Sequence, residues 1–197
     1  MFKDPVSNNA WGNAGKEDPT RKNRQKLVGG LRIVFGLFWL MDALLKWSPA
    51  FFHEYVGLLK AAAAGQPPWL HPWFHGWIAL VSPHPDMWAF LTALIETVTA
   101  LGLLLGFAQK LGYLIGSLFS LAIWSTAEGF GGPYTPGATD IGTSIIYFLV
   151  FVYLAAMQYM EGLPAYSLDR WIIAHWTPWR KIATFATDTT VHPAEKS

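Results

Sequence analysis

The sequence predicts an all-α integral membrane protein. We expect a four-transmembrane-helix, up-down-up-down bundle with an interfacial loop after the first helix and an amphipathic helix near the C-terminus. Of the 197 residues, 52% are hydrophobic and only 14% are charged, which is unusual for a soluble domain. Four apolar segments are long enough to cross a bilayer, and the basic residues are distributed unevenly around them.

Each apolar segment provides the roughly 20 helical residues that span about 30 Å of hydrocarbon. The segments comprise residues 27–47, 87–107, 110–130 and 139–160. None alternates like a membrane β-strand, and the short connections after the second and third favour antiparallel neighbours. The predicted divisions are a basic N-terminal segment (1–26), a four-helix domain (27–163) and an amphipathic helix with a polar tail (164–197).

The basic residues orient the predicted spans. Eleven of the 14 Lys and Arg residues precede the first span, lie between the second and third, or follow the fourth. The opposite side carries only Lys60, and Arg32 and Lys46 lie inside the first span. The positive-inside rule therefore predicts that both termini are cytoplasmic. The net charge of +1 gives no argument for nucleic-acid binding.

Two residue types limit the cofactors. The chain has no cysteine, which excludes disulfides, thiolate-bound iron–sulfur clusters and covalent haem attachment in this chain. All six histidines lie outside the predicted spans, so no haem is expected between them. His71, His75 and His84 could form a metal site, but no Cys or acidic residue completes a close set, and no metal is assigned.

Two further segments have a characteristic pattern. Residues 48–86 are rich in Trp and are predicted to fold back at the membrane interface, where indole rings are favoured. Ser167 is predicted to cap an in-plane amphipathic helix, for which docking on a partner subunit is the alternative. Its apolar face comprises Leu168, Trp171, Ile172, His175 and Trp179.

Four glycines flank the turn between the second and third spans. Gly102 and Gly106 precede the turn, and Gly112 and Gly116 follow it. Small residues four positions apart allow two helix backbones to approach closely. The two pairs therefore predict tight packing across this hairpin.

Charged residues in and beside the spans give the strongest functional signal, because a charge in a bilayer is costly and usually faces the bundle interior. They are Arg32, Asp42, Lys46, Glu96, Glu128 and Asp140. The helix directions predict that all except Arg32 converge in the outer half of the bundle. Structural interpretations stay open: an ion pair between Asp42 and Lys46, and wet loop positions for Glu128 and Asp140, the latter also capping the fourth helix.

Among these charged residues, Glu96 is the one most strongly predicted to have a functional role. It lies near the middle of the second span with no opposite charge on its own helix, so it needs Arg32 or Lys46 as a partner or stays protonated. A pocket of carboxylates, cations and aromatic rings could hold an amphiphile such as a quinone and supply its protons. Binding of an anion from outside is the other possibility at this site.

Three stretches carry a family resemblance: LRIVFGLFWLMDALLKW, LIETVTALGLLLGFAQKLG and GGPYTPGATDIGTSIIYFLVF. Together they resemble the DoxX superfamily and, within it, the DoxD family of small membrane subunits of thiosulfate:quinone oxidoreductase. The resemblance implies a subunit of the prokaryotic cytoplasmic membrane. With a DoxA-like partner chain, it would oxidise thiosulfate to tetrathionate and pass the electrons to quinone.

This hypothesis assigns roles to the charged residues. Those expected to exchange protons are Glu96, Asp42 and Asp140, and those expected to bind substrate are Arg32, Lys46 and Glu128. Without cysteine no thiosulfonate intermediate can form on this chain, so thiosulfate would be held by cations or oxidised on the partner. Two alternatives stay open: a non-catalytic accessory subunit of a larger respiratory or other membrane complex, and a small transporter with a proton relay.

Overall fold

The computed structural model describes residues 18–132 and 141–185, and every regular element within these ranges is helical. The α-helices of these ranges, joined by turns and short 3-10 segments, are α1 (Pro19–Lys46), α2 (Pro49–Ala63), α3 (His71–Val81), α4 (Pro85–Leu105), α5 (Gln109–Ser125), α6 (Thr143–Glu161), α7 (Leu168–His175) and α8 (Arg180–Ala183). The all-α prediction is therefore confirmed for the part of the chain that is described.

Three of these helices, α1, α4 and α6, are long and apolar enough to cross a membrane. Helix α5 has 17 residues, which at 1.5 Å per residue is about 26 Å and less than a typical hydrocarbon core of about 30 Å. It ends at Ser125, although the sequence predicts a span to residue 130. The chain then turns through Gly129, Phe130 and Gly131, which all have positive φ. The described residues thus provide three candidate spans rather than four.

The first helix begins at Pro19, well before the predicted span. The Asp18 carboxylate accepts a hydrogen bond from the Thr20 backbone N–H at 2.9 Å, and proline suits the first helical position. The same backbone hydrogen bond lowers the pKa of the Asp18 carboxyl. The N-terminal segment predicted for residues 1–26 is therefore helical from residue 19.

An aromatic core joins α1 to α6. The ring centroids of Phe35 and Phe151 are 5.0 Å apart, and those of Trp39 and Phe151 are 5.5 Å apart. Both pairs meet edge to face, which is a favoured geometry for aromatic rings. On the other side of α1, a Cβ at Gly36 would lie 3.0 Å from Leu103 Cβ of α4. Glycine at this position therefore allows α1 and α4 to pack closely.

The outward faces of the long helices are apolar. Val98, Leu118 and Leu149 are 61%, 69% and 58% exposed, and they belong to a much larger set of exposed Leu, Val, Ile, Phe and Trp side chains. Soluble monomers rarely expose so much contiguous apolar surface. The surface is therefore consistent with a lipid bilayer around the bundle.

The segment between the first two spans is folded, as the sequence predicts. It forms α2 and α3, which pack on each other, and α2 also packs on α4. The Trp73 indole N–H donates to the Ser125 carbonyl at 2.8 Å, and this bond ties α3 to the end of α5. The segment therefore forms one wall of the bundle at the C-terminal end of α1.

The C-terminal helix is shorter than predicted. Helix α7 has 8 residues and ends at His175, and a 3-10 turn over Thr177–Trp179 separates it from α8. Trp179 does not continue the apolar face, because its indole N–H turns inward to Asp169 Oδ1 at 2.7 Å. Ser167 precedes the helix without capping it through a hydrogen bond, and its hydroxyl donates to the Gly106 carbonyl instead.

The glycine pairs do not pack across the α4–α5 hairpin. A Cβ at Gly116 would collide with the Phe151 ring of α6, and a Cβ at Gly106 would collide with Arg32 Nη1 of α1. A Cβ at Gly112 would meet nothing within 4 Å. The prediction of tight packing at this hairpin is therefore wrong, because two of the glycines serve other helix contacts and Gly112 faces open space.

We expect Gly106→Ala to destabilise the protein. Gly106 ends α4 in the left-handed conformation with φ +64°, and strain of this kind costs about 1–3 kcal/mol before the clash with Arg32 is counted. The measurement is the thermal unfolding midpoint in detergent. Gly102→Ala is the matched control, since its Cβ would approach only the Phe107 carbonyl, at 3.5 Å. An equal loss in both variants would contradict this interpretation.

Candidate functional site

A polar cavity of about 200 Å³ lies at the C-terminal end of α1. Helix α1 contributes Asp42 and Lys46 to its wall, one turn apart, and α4 contributes Glu96. Glu128 comes from the turn after α5. The other lining residues are Trp39, Ile123, Thr143, Ser144 and Tyr147. The structure therefore brings together four of the five charged residues whose convergence the sequence predicts.

Asp140, the fifth, lies outside the described residues. The cap predicted for Asp140 at the start of α6 therefore stays a prediction, and a second carboxylate reaches the same helix end. Glu128 accepts from the Ser144 backbone N–H at 3.0 Å and from the Ser144 hydroxyl at 2.8 Å. A carboxylate at a helix N-terminus is stabilised by the unpaired N–H groups and the helix dipole. Glu128 therefore has a structural role in addition to lining the cavity.

Glu96 and Lys46 form an ion pair inside the bundle. Lys46 Nζ lies 3.8 Å from Glu96 Oε1, and the two side chains are 30% and 3% exposed. This distance is too long for a hydrogen bond. The other carboxylate oxygen, Oε2, is buried and has no hydrogen-bond partner among the described residues. Glu96 is thus a buried carboxyl group with one oxygen available to a ligand or a water molecule.

Asp42 is held by a tyrosine that sequence reasoning missed. The Tyr147 hydroxyl on α6 donates to Asp42 Oδ2 at 2.9 Å. This bond fixes Asp42 on the wall of the polar cavity, one helical turn from Lys46. No pattern in the sequence distinguishes Tyr147 from an ordinary interfacial tyrosine, and the only related signal is the acidic residue Asp42 inside the first span, which needs a hydrogen-bond donor.

Arg32 lies near the middle of α1, about 21 Å along the helix from Lys46. It is fully buried, and its Nη2 donates to the Tyr166 carbonyl at 2.8 Å. Its guanidinium packs against Gly106, which is about 15 Å along α4 from Glu96. The prediction that Arg32 shares the site with these acids is therefore wrong: Lys46 pairs with Glu96, and Arg32 joins α1 to the segment before α7.

An apolar cavity of about 320 Å³ adjoins the polar one. Lys46, Glu96 and Ile123 line both cavities. The remaining walls come from α2, α3, α4 and α5 and are mainly aromatic and aliphatic, including Phe51, Leu59, Trp77, Trp88, Phe119 and Ala122. The ion pair therefore lies where an apolar chamber meets a polar one.

Tyr55 and Thr92 provide a polar group within the apolar cavity, and sequence reasoning missed both. Their hydroxyl oxygens are 2.8 Å apart, which joins α2 to α4. Burial raises the pKa of the Tyr55 phenol, so it stays neutral at physiological pH. A neutral phenol can donate a hydrogen bond to a ligand carbonyl or accept one from Thr92.

The histidines considered for a metal site are partly engaged elsewhere. The His71 and His75 rings stack with centroids 6.2 Å apart, and His71 Nε2 lies 3.0 Å from the Gln66 carbonyl oxygen. Within residues 18–132 and 141–185, no three His, Asp or Glu side chains are grouped closely enough to hold a metal ion. We assign no metal to these residues.

Comparisons with protein-family models, curated proteins and solved structures find no match to this chain. The resemblance to the DoxX superfamily stays a prediction based on three sequence stretches. A function for this chain must consequently be inferred from the two cavities and the ion pair between them.

Proposed function

We propose that this chain is a membrane subunit of a quinone-linked oxidoreductase and binds the quinone head group beside Lys46 and Glu96. One observation carries the proposal: the ion pair between partly exposed Lys46 and buried Glu96 lies at the junction of an apolar cavity of about 320 Å³ and a polar cavity of about 200 Å³. A quinone has an apolar ring and two carbonyl oxygens. Such a ligand fits a mainly apolar pocket with a few convergent polar groups.

The chemistry follows from these groups. Reduction of a quinone takes up two electrons and two protons, so the site must supply protons to the carbonyl oxygens. As the partner of Lys46, Glu96 is a carboxylate, so it first takes up a proton from the polar cavity and then delivers that proton to the quinone, while Lys46 stabilises negative charge on the oxygen that accepts the electrons. Asp42 lines the adjoining polar cavity, from which it can return protons to Glu96 through water.

The electrons come from a donor that this chain does not provide by itself. The chain has no cysteine to form a covalent adduct with a sulfur compound. The DoxX resemblance supplies the proposal for the donor: two thiosulfate ions lose two electrons and form tetrathionate on a DoxA-like partner. The same two electrons, with two protons, convert one quinone to quinol, so the proposed reaction balances.

The proposed topology is that of a prokaryotic cytoplasmic membrane protein with four crossings and cytoplasmic termini. Helix α5 would form the fourth crossing, since 17 residues is the lower limit for a span and local thinning of the bilayer can compensate. The two cavities would then lie in the outer half of the bundle. The asymmetric distribution of Lys and Arg supports this orientation.

The second candidate is a non-catalytic subunit of a respiratory or other membrane complex. It is favoured by the structural contacts of the charged groups: Glu128 caps α6, Asp42 accepts from Tyr147, and Glu96 pairs with Lys46. In that case α7 and its neighbours would dock on a partner chain. Purification from the native membrane, with extraction of bound quinone and identification of associated subunits, separates the two candidates.

Filling the apolar cavity tests the proposal without removing a charge. Ala122→Phe places a ring in that cavity, and we expect the affinity for a benzoquinone to fall at least about tenfold, or roughly 1.4 kcal/mol. The measurement is quenching of Trp fluorescence during titration of the purified protein. Ala79→Phe is the matched control, because Ala79 is exposed on α3 and lines neither cavity. Equal affinities in the wild type and Ala122→Phe would refute binding in this cavity.

A further inference from the structure

A second apolar cavity, of about 350 Å³, lies between α4 and α5 toward the turn that joins them, and we call it the α4–α5 groove. Its walls are mainly apolar, with Thr99 and Gln109 as the polar residues that line it. Val98, Leu111 and Ile115 line it while remaining 61%, 44% and 44% exposed. The groove is therefore open on the side that faces lipid.

The groove continues the apolar cavity of the proposed quinone site. Ile95 lines both. On α4, the lining positions 92, 95, 99 and 102 recur every three or four residues, and on α5 positions 112, 115, 119 and 122 do the same. Such spacing marks one face of a helix. The two cavities therefore adjoin along one face of α4 and one face of α5, which we call the apolar track, and its α4 wall from residue 88 to residue 102 is about 21 Å long.

Glycine and satisfied polar groups keep this track open and apolar. Gly112 lines the groove, and a Cβ there would meet no atom of the described residues within 4 Å. The Tyr113 hydroxyl, at the edge of the groove, donates to Gln109 Oε1 at 2.8 Å, and Gln109 Nε2 donates to Ser167 Oγ at 2.6 Å. These groups are thus engaged with protein partners, and an occupant of the groove needs no polar atoms of its own.

We infer that the α4–α5 groove holds the long apolar chain of the amphiphile whose head group lies beside Lys46 and Glu96. The inference rests on the proposed function and narrows its substrate class to quinones with a long isoprenoid chain. A chain that leaves lipid for this groove gains little hydrophobic energy, because both surroundings are apolar. The groove therefore orients the chain through packing and directs the head group to the ion pair.

The test uses photoreactive probes on the purified full-length protein in lipid nanodiscs. The first probe is a benzoquinone whose isoprenoid chain carries a photoreactive group at its end. We expect it to label groove residues such as Val98 and Ile115, and an excess of a benzoquinone with one isoprene unit to displace it. Gly112→Phe should reduce the labelling at least about tenfold. Gly30→Phe is the matched control, since a Cβ at Gly30 also meets nothing within 4 Å and Gly30 does not line the groove.

A second probe is a phospholipid with the photoreactive group on its acyl chain. It tests whether the groove holds a lipid acyl chain instead of the quinone chain. If only the phospholipid labels the groove, or if the short quinone does not displace the first probe, the groove is a lipid site and the inference is wrong. Scattered labelling of exposed residues such as Leu118 and Leu149 would also overturn it. If the short quinone fails to bind the wild-type protein in a direct titration, the proposed function itself fails. If it binds but the groove is not labelled, only this inference fails.

Discussion

Glu96→Gln is expected to lower quinone reduction about 10²–10⁴-fold, the usual contribution of a positioned acid or base. Glutamine preserves the size of the side chain and its capacity for hydrogen bonds, but it cannot carry an exchangeable acid proton to the quinone. The side chain is 3% exposed at the junction of the two cavities, so bulk water cannot readily replace its role. The measurement is the steady-state rate of quinone reduction by the complete complex in native membranes, with thiosulfate as donor.

The control separates catalysis from assembly. Glu54→Gln makes the same change on α2, where Glu54 is exposed and lines neither cavity, and should leave both rate and yield unchanged. Loss of yield in Glu96→Gln, with normal activity per assembled complex, would favour the accessory subunit over the catalytic one. Unchanged yield and unchanged activity would exclude a proton-exchange role for Glu96.

Much of the fold could be predicted because it depends on composition and periodicity. The apolar segments of α1, α4 and α6 are long enough to identify without knowledge of their neighbours. The convergence of Asp42, Lys46 and Glu96 followed from helix direction alone, since antiparallel helices bring the end of one beside the middle of the next. The limits of α5 were harder to predict, because the turn after Ser125 depends on positive φ angles at Gly129, Phe130 and Gly131.

The partners of individual charges could not be predicted, because they depend on distant parts of the chain. Arg32 donates to the Tyr166 carbonyl, a contact separated by 134 residues. Every residue has a backbone carbonyl, so the sequence does not show which one accepts from Arg32. We therefore expected Arg32 to pair with an acidic side chain. Similarly, the contact of Glu128 with the Ser144 N–H at the start of α6 joins residues 16 positions apart, so no local pattern predicts it.

The two ends of the bundle consequently use charge in different ways. At the Lys46 end, the ion pair lines two cavities and Glu96 keeps one oxygen without a partner among the described residues. At the Arg32 end, Asp169 joins the segment 163–185 to the turn between α4 and α5 through the N–H groups of Ala108 and Gln109, and Arg32 Nε and Nη1 are buried without a hydrogen-bond partner among the described residues. Substitutions at the second end should therefore affect stability far more than ligand binding.

Asp169→Asn is expected to destabilise the protein by about 3–5 kcal/mol, the usual cost of breaking a buried charged network. Asp169 is fully buried. Its carboxylate accepts from the backbone N–H groups of Ala108 and Gln109 at 2.8 and 2.9 Å and from the Trp179 indole at 2.7 Å. Asparagine has one acceptor oxygen, so at least one of these donors loses its partner, and Arg32 loses the nearby negative charge. The measurement is thermal unfolding in detergent.

Arg32→Met in the Asp169→Asn background identifies the electrostatic part of this effect. Removing the uncompensated buried cation should recover about 0.5–3 kcal/mol, the range of coupling energies between neighbouring residues. Asp86→Asn, at an exposed position in the first turn of α4, should cost no more than about 1 kcal/mol. If the effects of Asp169→Asn and Arg32→Met on stability are additive, Asp169 acts only as a hydrogen-bond acceptor at the start of α5. The affinity for a benzoquinone with one isoprene unit should be unchanged in folded Asp169→Asn protein, because its head group would bind beside Lys46, away from the Ala108 and Gln109 N–H groups that Asp169 holds.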